Sequence, residues 1–362
     1  MKAHVLYGIN DLKYEELERP VPGKGEVLLK VEAVGICGSD IPRIYKTGAH
    51  THPLIPGHEF AGTVCEVGEG TEALYSGDNI SLIGRRMGVF PLIPCGVCGP
   101  CRNKQFEMCR NYNYLGSRCD GGFAEYVTVP VRNLIELPDN VSFDDAAMLE
   151  PAAVSVHAMR RMSGDVNIQG SPVVVIGLGT IGLLLTMNLI NEGFKNLYVV
   201  GNKVFQRNKA LELGIKPDNY CDSTKGNVVD WILEKTDGVG AAYIFECVGT
   251  NDTYCKAVEM AAPAGSIMLV GNPASDMTLE KSIYWKILRN QLVIKGTWNS
   301  SFTGEQNDDW HYAINRMDEG RIRPSQLISH RYSLNKLQDG LSIMRDKTED
   351  YVKIMIHPHG DK

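Results

Sequence analysis

The sequence lacks a strong excess of charge of either sign. Its 37 lysine and arginine residues are nearly balanced by 43 aspartate and glutamate residues, and the formal net charge of −6 is spread along the chain rather than gathered in a tail. Nucleic acids and anionic membranes bind proteins through clustered basic side chains. We therefore expect neither nucleic acid nor a membrane as a partner.

Signals for export and for membrane insertion are also missing. The N-terminal residues lack the basic-then-apolar order of a secretory signal peptide, which predicts a cytoplasmic location. One uncharged run, Val173–Ile190, approaches the length of a membrane span. However, Pro172 precedes this run and three glycines interrupt it. A buried strand, a turn and a helix are therefore the better interpretation.

Internal repeats and low-complexity segments are absent, and 362 residues are too many for one ordinary core. Residues 1 to about 150 are rich in glycine, proline and short β-branched runs, which predict a β-rich region with long loops. From about residue 171, strand-like runs alternate with helical stretches, as in a parallel α/β sheet. The predicted strands are Val173–Ile176, Leu197–Val200, Tyr243–Glu246, Ser266–Val270 and Leu292–Lys295, with a return strand at His330–Leu334.

Ten cysteines are present, and four of them fall within fifteen residues: Cys95, Cys98, Cys101 and Cys109. Four thiolates complete a tetrahedral zinc shell without an open position, which is typical of a structural metal. An iron–sulfur cluster is the main alternative, but ferredoxin motifs place the fourth cysteine after three residues and follow it with proline. Here the spacer has seven residues and Arg110 follows. The spacing therefore predicts a structural zinc ion.

Two glycine-rich segments offer ligands for a second, open metal site. Cys37 lies in the first, and the adjacent His58 and Glu59 lie in the second. A thiolate, an imidazole and a carboxylate would hold zinc and leave one position for water or substrate. Taken alone, a single cysteine is more often a small core residue, and a His–Glu pair is usually an ordinary polar loop feature.

A glycine motif follows the first predicted strand of the α/β region. Gly177, Gly179 and Gly182 have the GxGxxG spacing, and a helix is predicted directly afterwards at Ile181–Leu189. Such glycines allow a tight turn and let a dinucleotide pyrophosphate approach the helix N-terminus. The predicted contacts at this turn are Gly177, Gly179, Thr180, Ile181 and Gly182.

The acid that usually selects NAD is missing. It would stand about twenty residues after the glycine motif and bond the ribose 2′-hydroxyl, but the strand Leu197–Val200 ends in Gly201, Asn202 and Lys203. Lys203 and Arg207 offer positive charge to a 2′-phosphate. We therefore favour NADP(H) over NAD(H), with Asn202, Lys203 and Arg207 as contacts; both cations are also compatible with an ordinary solvated surface.

Five motifs follow one another along the chain: Cys37-Gly-Ser39-Asp40, Gly57-His58-Glu59, the four-cysteine cluster, Glu150-Pro151 and the glycine motif. In this order, and over nearly its whole length, the sequence resembles the zinc-containing medium-chain dehydrogenases, in particular their polyol branch. The resemblance implies a nicotinamide-dependent alcohol or polyol dehydrogenase with two zinc ions per chain, one catalytic and one structural. Members of this family are commonly dimers or tetramers, so a homodimer or homotetramer is expected.

The resemblance also implies an α/β architecture of two domains. A GroES-like, β-rich catalytic domain would comprise residues 1–153 and 297–362 and carry the structural-zinc lobe at about 91–112. A Rossmann coenzyme domain with a doubly wound parallel sheet would occupy residues 154–296, and the substrate would lie in the cleft between the two.

By the same resemblance, Cys37, His58 and a carboxylate from Glu59 or Glu150 would hold the catalytic zinc, and the sequence leaves the choice of carboxylate open. Zinc is a Lewis acid that would lower the pKa of a substrate hydroxyl. Asp40 is expected to orient His58. Ser39 matches the family's proton-relaying hydroxyl, with a simple turn cap as the alternative.

The substrate is expected to be a polyol phosphate. Segments 39–50, 115–118 and 120–126 are similar to those of polyol-phosphate dehydrogenases, although the likeness is interrupted around Ala73–Gly84. The candidate substrate-binding cations are Arg43, Lys46, His50 and Arg118. An unphosphorylated polyol or secondary alcohol is the main alternative, and a non-catalytic dinucleotide-binding protein is the remote one.

Overall fold

The computed structural model describes residues 1–71, 75, 81–162 and 170–360. The chain divides into two compact units. The first comprises Met1–Ala153 together with Ser300–Lys362, and the second comprises Val154–Asn299. Of the segment Ala73–Gly84, where the family likeness is interrupted, only residue 75 and residues 81–84 are among the described residues.

The N-terminal part of the first unit consists mainly of strands. They are β1 (Lys2–Gly8), β2 (Asp11–Glu16), β3 (Glu26–Ile36), β4 (Glu59–Val67), β5 (Arg86–Val89), β6 (Leu92–Ile93), β7 (Asn113–Tyr114), β8 (Tyr126–Pro130) and β9 (Leu134–Glu136). Short helices join them: α1 (Asp40–Pro42), continued by a π-helical turn at Arg43–Thr47, then α2 (Gly99–Arg102) and α3 (Phe143–Ala147). Helix α4 (Leu149–Met162) follows.

The second unit contains the predicted parallel sheet. Its strands are β10 (Val173–Ile176), β11 (Leu197–Gly201), β12 (Tyr220–Asp222), β13 (Ala241–Glu246), β14 (Ala261–Leu269) and β15 (Val293–Gly296). They lie in the order β12-β11-β10-β13-β14-β15 and all pair in parallel. The helices are α5 (Thr180–Asn191), α6 (Val204–Glu212), α7 (Val228–Lys235), α8 (Asn251–Met260) and α9 (Lys281–Arg289). The predicted strands and the helix after the glycine motif are therefore present.

Burial and capping explain the elements of this second unit. All four residues of β10 are buried, as expected for a β-branched run covered on both faces of a parallel sheet. Helix α8 begins with a capping box between Thr250 and Thr253, and the Asn227 side chain caps α7. Such caps satisfy backbone N–H groups that have no partner within the helix.

The chain then returns to the first unit with α10 (Asp309–Asp318), β16 (Ile328–Ser333), α11 (Leu337–Asp346) and β17 (Lys353–His357). The large sheet of this unit has the strand order β16-β17-β3-β4-β5-β9, with β8 also paired to β3. Strand β17 runs antiparallel to β3, with Ile354 opposite Ile36. The last strand of the chain is thereby placed beside the residues that lead into Cys37.

Apolar residues from both parts of the first unit form one buried cluster. Leu29 of β3, Phe60 of β4, Phe123, Leu341 of α11 and Ile354 of β17 are among its members. Joining distant parts of the chain in this way fixes the ends of β3 and β4, where the predicted metal ligands lie. Within the described residues, no helix has both the length and the apolar character that crossing a bilayer requires.

Candidate functional site

Cys37, His58 and Glu59 meet at the ends of two paired strands. Cys37 directly follows β3, Glu59 begins β4, and Gly35 is the register partner of Glu59. One potential ligand atom from each of the three residues lies within 4.8 Å of the other two. His58 and Glu59 are only 4% and 1% exposed. The structure therefore brings together the thiolate, imidazole and carboxylate that a zinc ion would accept.

A buried lysine, which the sequence motifs did not indicate, joins this group. The ammonium of Lys353 on β17 forms an ion pair with Glu59 Oε2, and both side chains are 2% exposed. Lys353 Nζ also donates to the carbonyl oxygen of Ile36 at 3.1 Å. Burial alone would lower the pKa of Lys353, but Glu59 and Cys37 outweigh this effect and raise it. Lys353 is therefore a fixed positive charge beside the predicted metal ligands.

Glu150 lies next to the group at the start of α4. It is 8% exposed and accepts a hydrogen bond of 3.3 Å from the hydroxyl of Tyr114. The Tyr114 ring in turn makes an edge contact with His58 at 5.8 Å between ring centroids. Burial raises the pKa of Glu150 to about 7, with His58 opposing and Glu59 adding to the rise. Glu150 is thus a buried carboxylate whose charge is poorly compensated, which fits a position facing a cation.

Asp40 anchors the opposite side of the site. It is fully buried, and its Oδ2 accepts from the backbone N–H of Cys37 at 2.9 Å, whereas its Oδ1 accepts from Arg43 Nη1 at 2.6 Å. The same Oδ1 lies 3.5 Å from His58 Nδ1. Although burial opposes ionisation, His58 and Arg43 hold the pKa of Asp40 below its ordinary value. Asp40 is therefore a charged group shared between a predicted zinc ligand and a predicted substrate-binding cation.

Ser39 connects the metal group with a small pocket. Its hydroxyl donates to Cys37 Sγ at 3.3 Å. It also lines a pocket of about 300 Å³, together with Pro42, Arg43, Thr47, Gly48, Ala49, His50 and Ser117. A hydroxyl that touches both the thiolate and the pocket is placed to move a proton between the site and solvent.

The four predicted substrate-binding cations do not all reach this pocket. Arg43 and His50 line it, but Lys46 does not and is exposed. Arg118 stacks over the Tyr112 ring at 4.7 Å from its centroid. Burial, Arg118 and Arg43 together lower the pKa of His50. Arg43 and His50 are thus placed to meet an anionic group in this pocket, whereas Arg118 does not line it.

The four clustered cysteines are also brought together. Their sulfur atoms all lie within 4.8 Å of one another. Backbone N–H groups of Arg110 and Cys101 lower the pKa of Cys98 to about 6, whereas burial and the other thiols raise the pKa of Cys101 to about 12. Thiols crowded in this way are stabilised as thiolates by a cation, and the four-sulfur donor set fits zinc.

The glycine motif forms a tight turn between β10 and α5. Gly177 has φ of +91°, and a Cβ atom on Gly182 would lie 1.8 Å from the carbonyl oxygen of Gly177. A Cβ on Gly179, in contrast, would meet no protein atom within 4 Å. Gly179 is the N-cap of α5, which begins with Thr180 and Ile181. The turn therefore leaves space at a helix N-terminus, where a pyrophosphate is favoured.

At the end of β11, Gly201 stands where an NAD-selecting acid would be expected. A Cβ there would lie 3.1 Å from the Tyr220 hydroxyl. That hydroxyl donates to the carbonyl of Lys203 at 3.5 Å, and the Arg207 guanidinium lies 5.9 Å from the Tyr220 ring centroid. Asn202 is exposed beside them. Tyr220 was not indicated by the motifs, because it comes from the next strand of the sheet.

An acid is present on the neighbouring strand, but it belongs to a turn. Asp222 is the register partner of Gly201. Its Oδ1 accepts from the backbone N–H and the hydroxyl of Thr224 at 3.0 and 2.6 Å, and its Oδ2 pairs with Lys225 at 3.3 Å. Asp222 is therefore engaged by Thr224 and Lys225 of its own turn.

Comparison with known proteins gives matches over both units. A family model described as the alcohol dehydrogenase GroES-like domain matches residues 23–139, and one described as zinc-binding dehydrogenase matches residues 180–319. Galactitol 1-phosphate 5-dehydrogenase of Escherichia coli (strain K12) is 33% identical over 308 residues, which cover 85% of this chain and 86% of that protein.

Two solved structures have the same fold and different nicotinamide cofactors. A zinc-binding dehydrogenase from Sinorhizobium meliloti 1021, bound to NADP, has a TM-score of 0.87 and 28% identity, covering 99% of both chains. A protein described as a short chain alcohol dehydrogenase (rspB) from E. coli CFT073, complexed with NADH, has a TM-score of 0.86 and 28% identity, also covering 99% of both chains.

Proposed function

Because this chain belongs to the zinc-binding alcohol dehydrogenases of the medium-chain dehydrogenase family, we propose that it moves a hydride between a nicotinamide cofactor and a secondary hydroxyl of a polyol phosphate similar to galactitol 1-phosphate. The product would be a keto-sugar phosphate. Family membership confirms the resemblance, the GroES-like and Rossmann fold class and the prediction of an oxidoreductase. The observation that carries the substrate proposal is the pocket beside Ser39, where Arg43 and His50 are placed to meet an anion.

We propose that Cys37, His58 and a carboxylate hold the catalytic zinc, and that the four-cysteine cluster holds the structural one. When bound, the catalytic zinc would act as a Lewis acid that lowers the pKa of the substrate hydroxyl. Lys353 already compensates the charge of Glu59. Among the described residues, Glu150 accepts a hydrogen bond from the uncharged Tyr114 hydroxyl alone. The grouping of Glu59 with Cys37 and His58 within 4.8 Å supports Glu59 as a direct ligand, whereas the less compensated charge of Glu150 supports it as the second carboxylate beside the ion.

The residues around the metal group have distinct proposed tasks. Ser39 would receive the proton of the substrate hydroxyl and pass it into the pocket. Asp40 would hold Cys37 through its backbone and face His58. The glycine turn at Gly177 would hold the dinucleotide pyrophosphate at the start of α5, so that the nicotinamide could accept the hydride. No motif separates a phosphorylated from an unphosphorylated polyol, so the free polyol or secondary alcohol is the second candidate substrate class.

We expect the kcat/KM for a polyol 1-phosphate such as galactitol 1-phosphate to exceed that for the free polyol by more than about tenfold, because one charge-assisted contact contributes about 1.5–3 kcal/mol. Steady-state kinetics with both substrates measure this ratio. His50→Ala should reduce the ratio, and Lys46→Ala, which removes a cation outside the pocket lining, is the matched control. Equal kcat/KM values for the two substrates in the unaltered enzyme would contradict the proposal.

We further propose a preference for NADP(H), supported by Gly201, Asn202, Lys203 and Arg207 at the end of β11. Arg207→Ala should lower kcat/KM for NADP by about tenfold and leave that for NAD nearly unchanged, because only NADP carries the 2′-phosphate. The matched control is Lys209→Ala on the same helix, where Lys209 pairs with Glu212 at 2.7 Å. A strong preference of the unaltered enzyme for NAD at equal cofactor concentrations would overturn the proposal.

The cellular location and the oligomeric state of the enzyme are also proposals. We propose a cytoplasmic enzyme that acts on a small molecule as a homodimer or homotetramer, in line with the family resemblance. We also propose that residues 1–153 and 297–362 form the catalytic domain and that residues 154–296 form the coenzyme domain. The two compact units of the structure support this division.

A further inference from the structure

An arginine and a histidine approach the same oxygen of Asp40. Arg43 Nη1 lies 2.6 Å from Oδ1, whereas His58 Nδ1 lies 3.5 Å from the same atom, at the outer limit of a hydrogen bond. Among the described residues, His58 Nδ1 is a buried nitrogen without a hydrogen-bond partner. A histidine that ligates a metal ordinarily donates its second ring N–H to a carboxylate or carbonyl, which orients the ring. In this structure Arg43 makes the shorter contact and holds the carboxylate on its own side, so that Oδ1 stays 3.5 Å from His58 Nδ1.

Arg43 also faces the predicted substrate pocket. It lines the pocket with Ser39, Thr47, His50 and Ser117, and its side chain is 15% exposed. A guanidinium carries five N–H donors in a rigid, planar arrangement. Among the described residues, Nη1 of Arg43 donates to Asp40. The remaining donors can therefore meet an anion in the pocket.

We propose that Arg43 is a positioning residue that couples the binding of an anionic substrate group in this pocket to the orientation of His58. A phosphate monoester that engages the guanidinium draws it toward the pocket and weakens its hold on Asp40 Oδ1. The carboxylate is then able to move closer to His58 Nδ1, and the imidazole is held in the orientation that a zinc ligand requires. The inference rests on the proposed function, since it needs zinc at Cys37 and His58 and an anionic substrate.

This coupling differs from two simpler roles of Arg43. If Arg43 only neutralises Asp40, its removal loosens the metal site whether or not an anion is present. If Arg43 only binds phosphate, its removal weakens substrate binding and leaves the metal site unchanged. Coupling instead requires that an anion tighten the metal site of the unaltered enzyme, and that this effect disappear without the guanidinium.

The test follows loss of the catalytic zinc to a chelator, with and without saturating inorganic phosphate. Residues that hydrogen-bond to a metal ligand change metal affinity by about 10- to 100-fold. We therefore expect phosphate to slow zinc loss from the unaltered enzyme by about tenfold. In Arg43→Gln the phosphate effect should fall below about twofold. Arg43→Lys keeps the positive charge but lacks the planar guanidinium with its several N–H donors. It serves as a control for a folding defect in Arg43→Gln and should show an intermediate phosphate effect. An equal phosphate effect in the unaltered and Arg43→Gln enzymes overturns the proposal.

Cobalt substitution and kinetics supply two further readouts. Phosphate should change the visible absorption of the Co²⁺-substituted unaltered enzyme and not that of Arg43→Gln. Arg43→Gln should lower kcat as well as raise KM for the polyol phosphate, whereas a rise in KM alone, with unchanged metal behaviour, overturns the coupling. Equal use of free and phosphorylated polyol by the unaltered enzyme instead contradicts the substrate proposal, so the two failures are distinguishable.

Discussion

Lys353→Met is expected to destabilise the chain by about 3–5 kcal/mol, because removing one member of a buried ion pair leaves the other charge uncompensated. Lys353 and Glu59 are each 2% exposed, and the Glu59 carboxylate has no access to bulk water that could replace the ammonium. Denaturant-induced unfolding measures the loss. The effect should be larger after zinc removal, since the metal would supply part of the missing positive charge.

Two matched variants identify the cause. Lys353→Met combined with Glu59→Gln should recover much of the stability, because the uncompensated charge is then absent. Lys336→Met breaks an ion pair with Asp339 in which both side chains are more than half exposed, and it should cost less than about 1 kcal/mol. Equal stability of the buried and exposed lysine variants would show that the Lys353–Glu59 pair contributes no more to stability than a surface ion pair does.

Cys37→Ala is expected to lower kcat by at least about a thousandfold, equivalent to about 4 kcal/mol, while the fold persists. The reason is that Cys37 supplies the thiolate of the open metal site, which lies at the ends of β3 and β4 and is not needed to close a loop. Activity, zinc content and circular dichroism together measure the outcome. The variant should retain about one of the two zinc equivalents.

Cys95→Ala should reduce the stability of the fold more than the activity, which is the reverse of the result expected for Cys37→Ala. Its sulfur belongs to the closed four-cysteine group, in which metal binding contributes directly to folding free energy. We expect a marked fall in the melting temperature and the loss of one zinc equivalent, with smaller direct damage to the chemistry in whatever fraction stays folded. Loss of both zinc equivalents from either variant would refute the assignment of two separate sites.

Local sequence was sufficient where function depends on residues close together in the chain. The cysteines from Cys95 to Cys109 lie in one short segment, and the glycines after β10 lie in one turn, so pattern and geometry coincide. The alternation of strands and helices after residue 171 likewise predicted the parallel sheet. These features depend on local stereochemistry, which a short motif records.

Residues that reach the site through the sheet topology were not predictable in this way. Lys353 lies 294 positions from Glu59, and only the pairing of β17 with β3 brings them together. Tyr114 and Tyr220 are aromatic residues without a motif around them. A linear pattern carries no information on such contacts.

The place of β17 in the sheet has a consequence for biosynthesis. The ribosome makes this strand after every other element of the described chain, yet it lies between β16 and the end of β3 that leads into Cys37. Until β17 has been made, Glu59 therefore lacks the Lys353 ammonium beside it, and the Val34–Ile36 end of β3 lacks this partner strand. The catalytic unit reaches its balance of charge only after the whole of Val154–Asn299 has been synthesised.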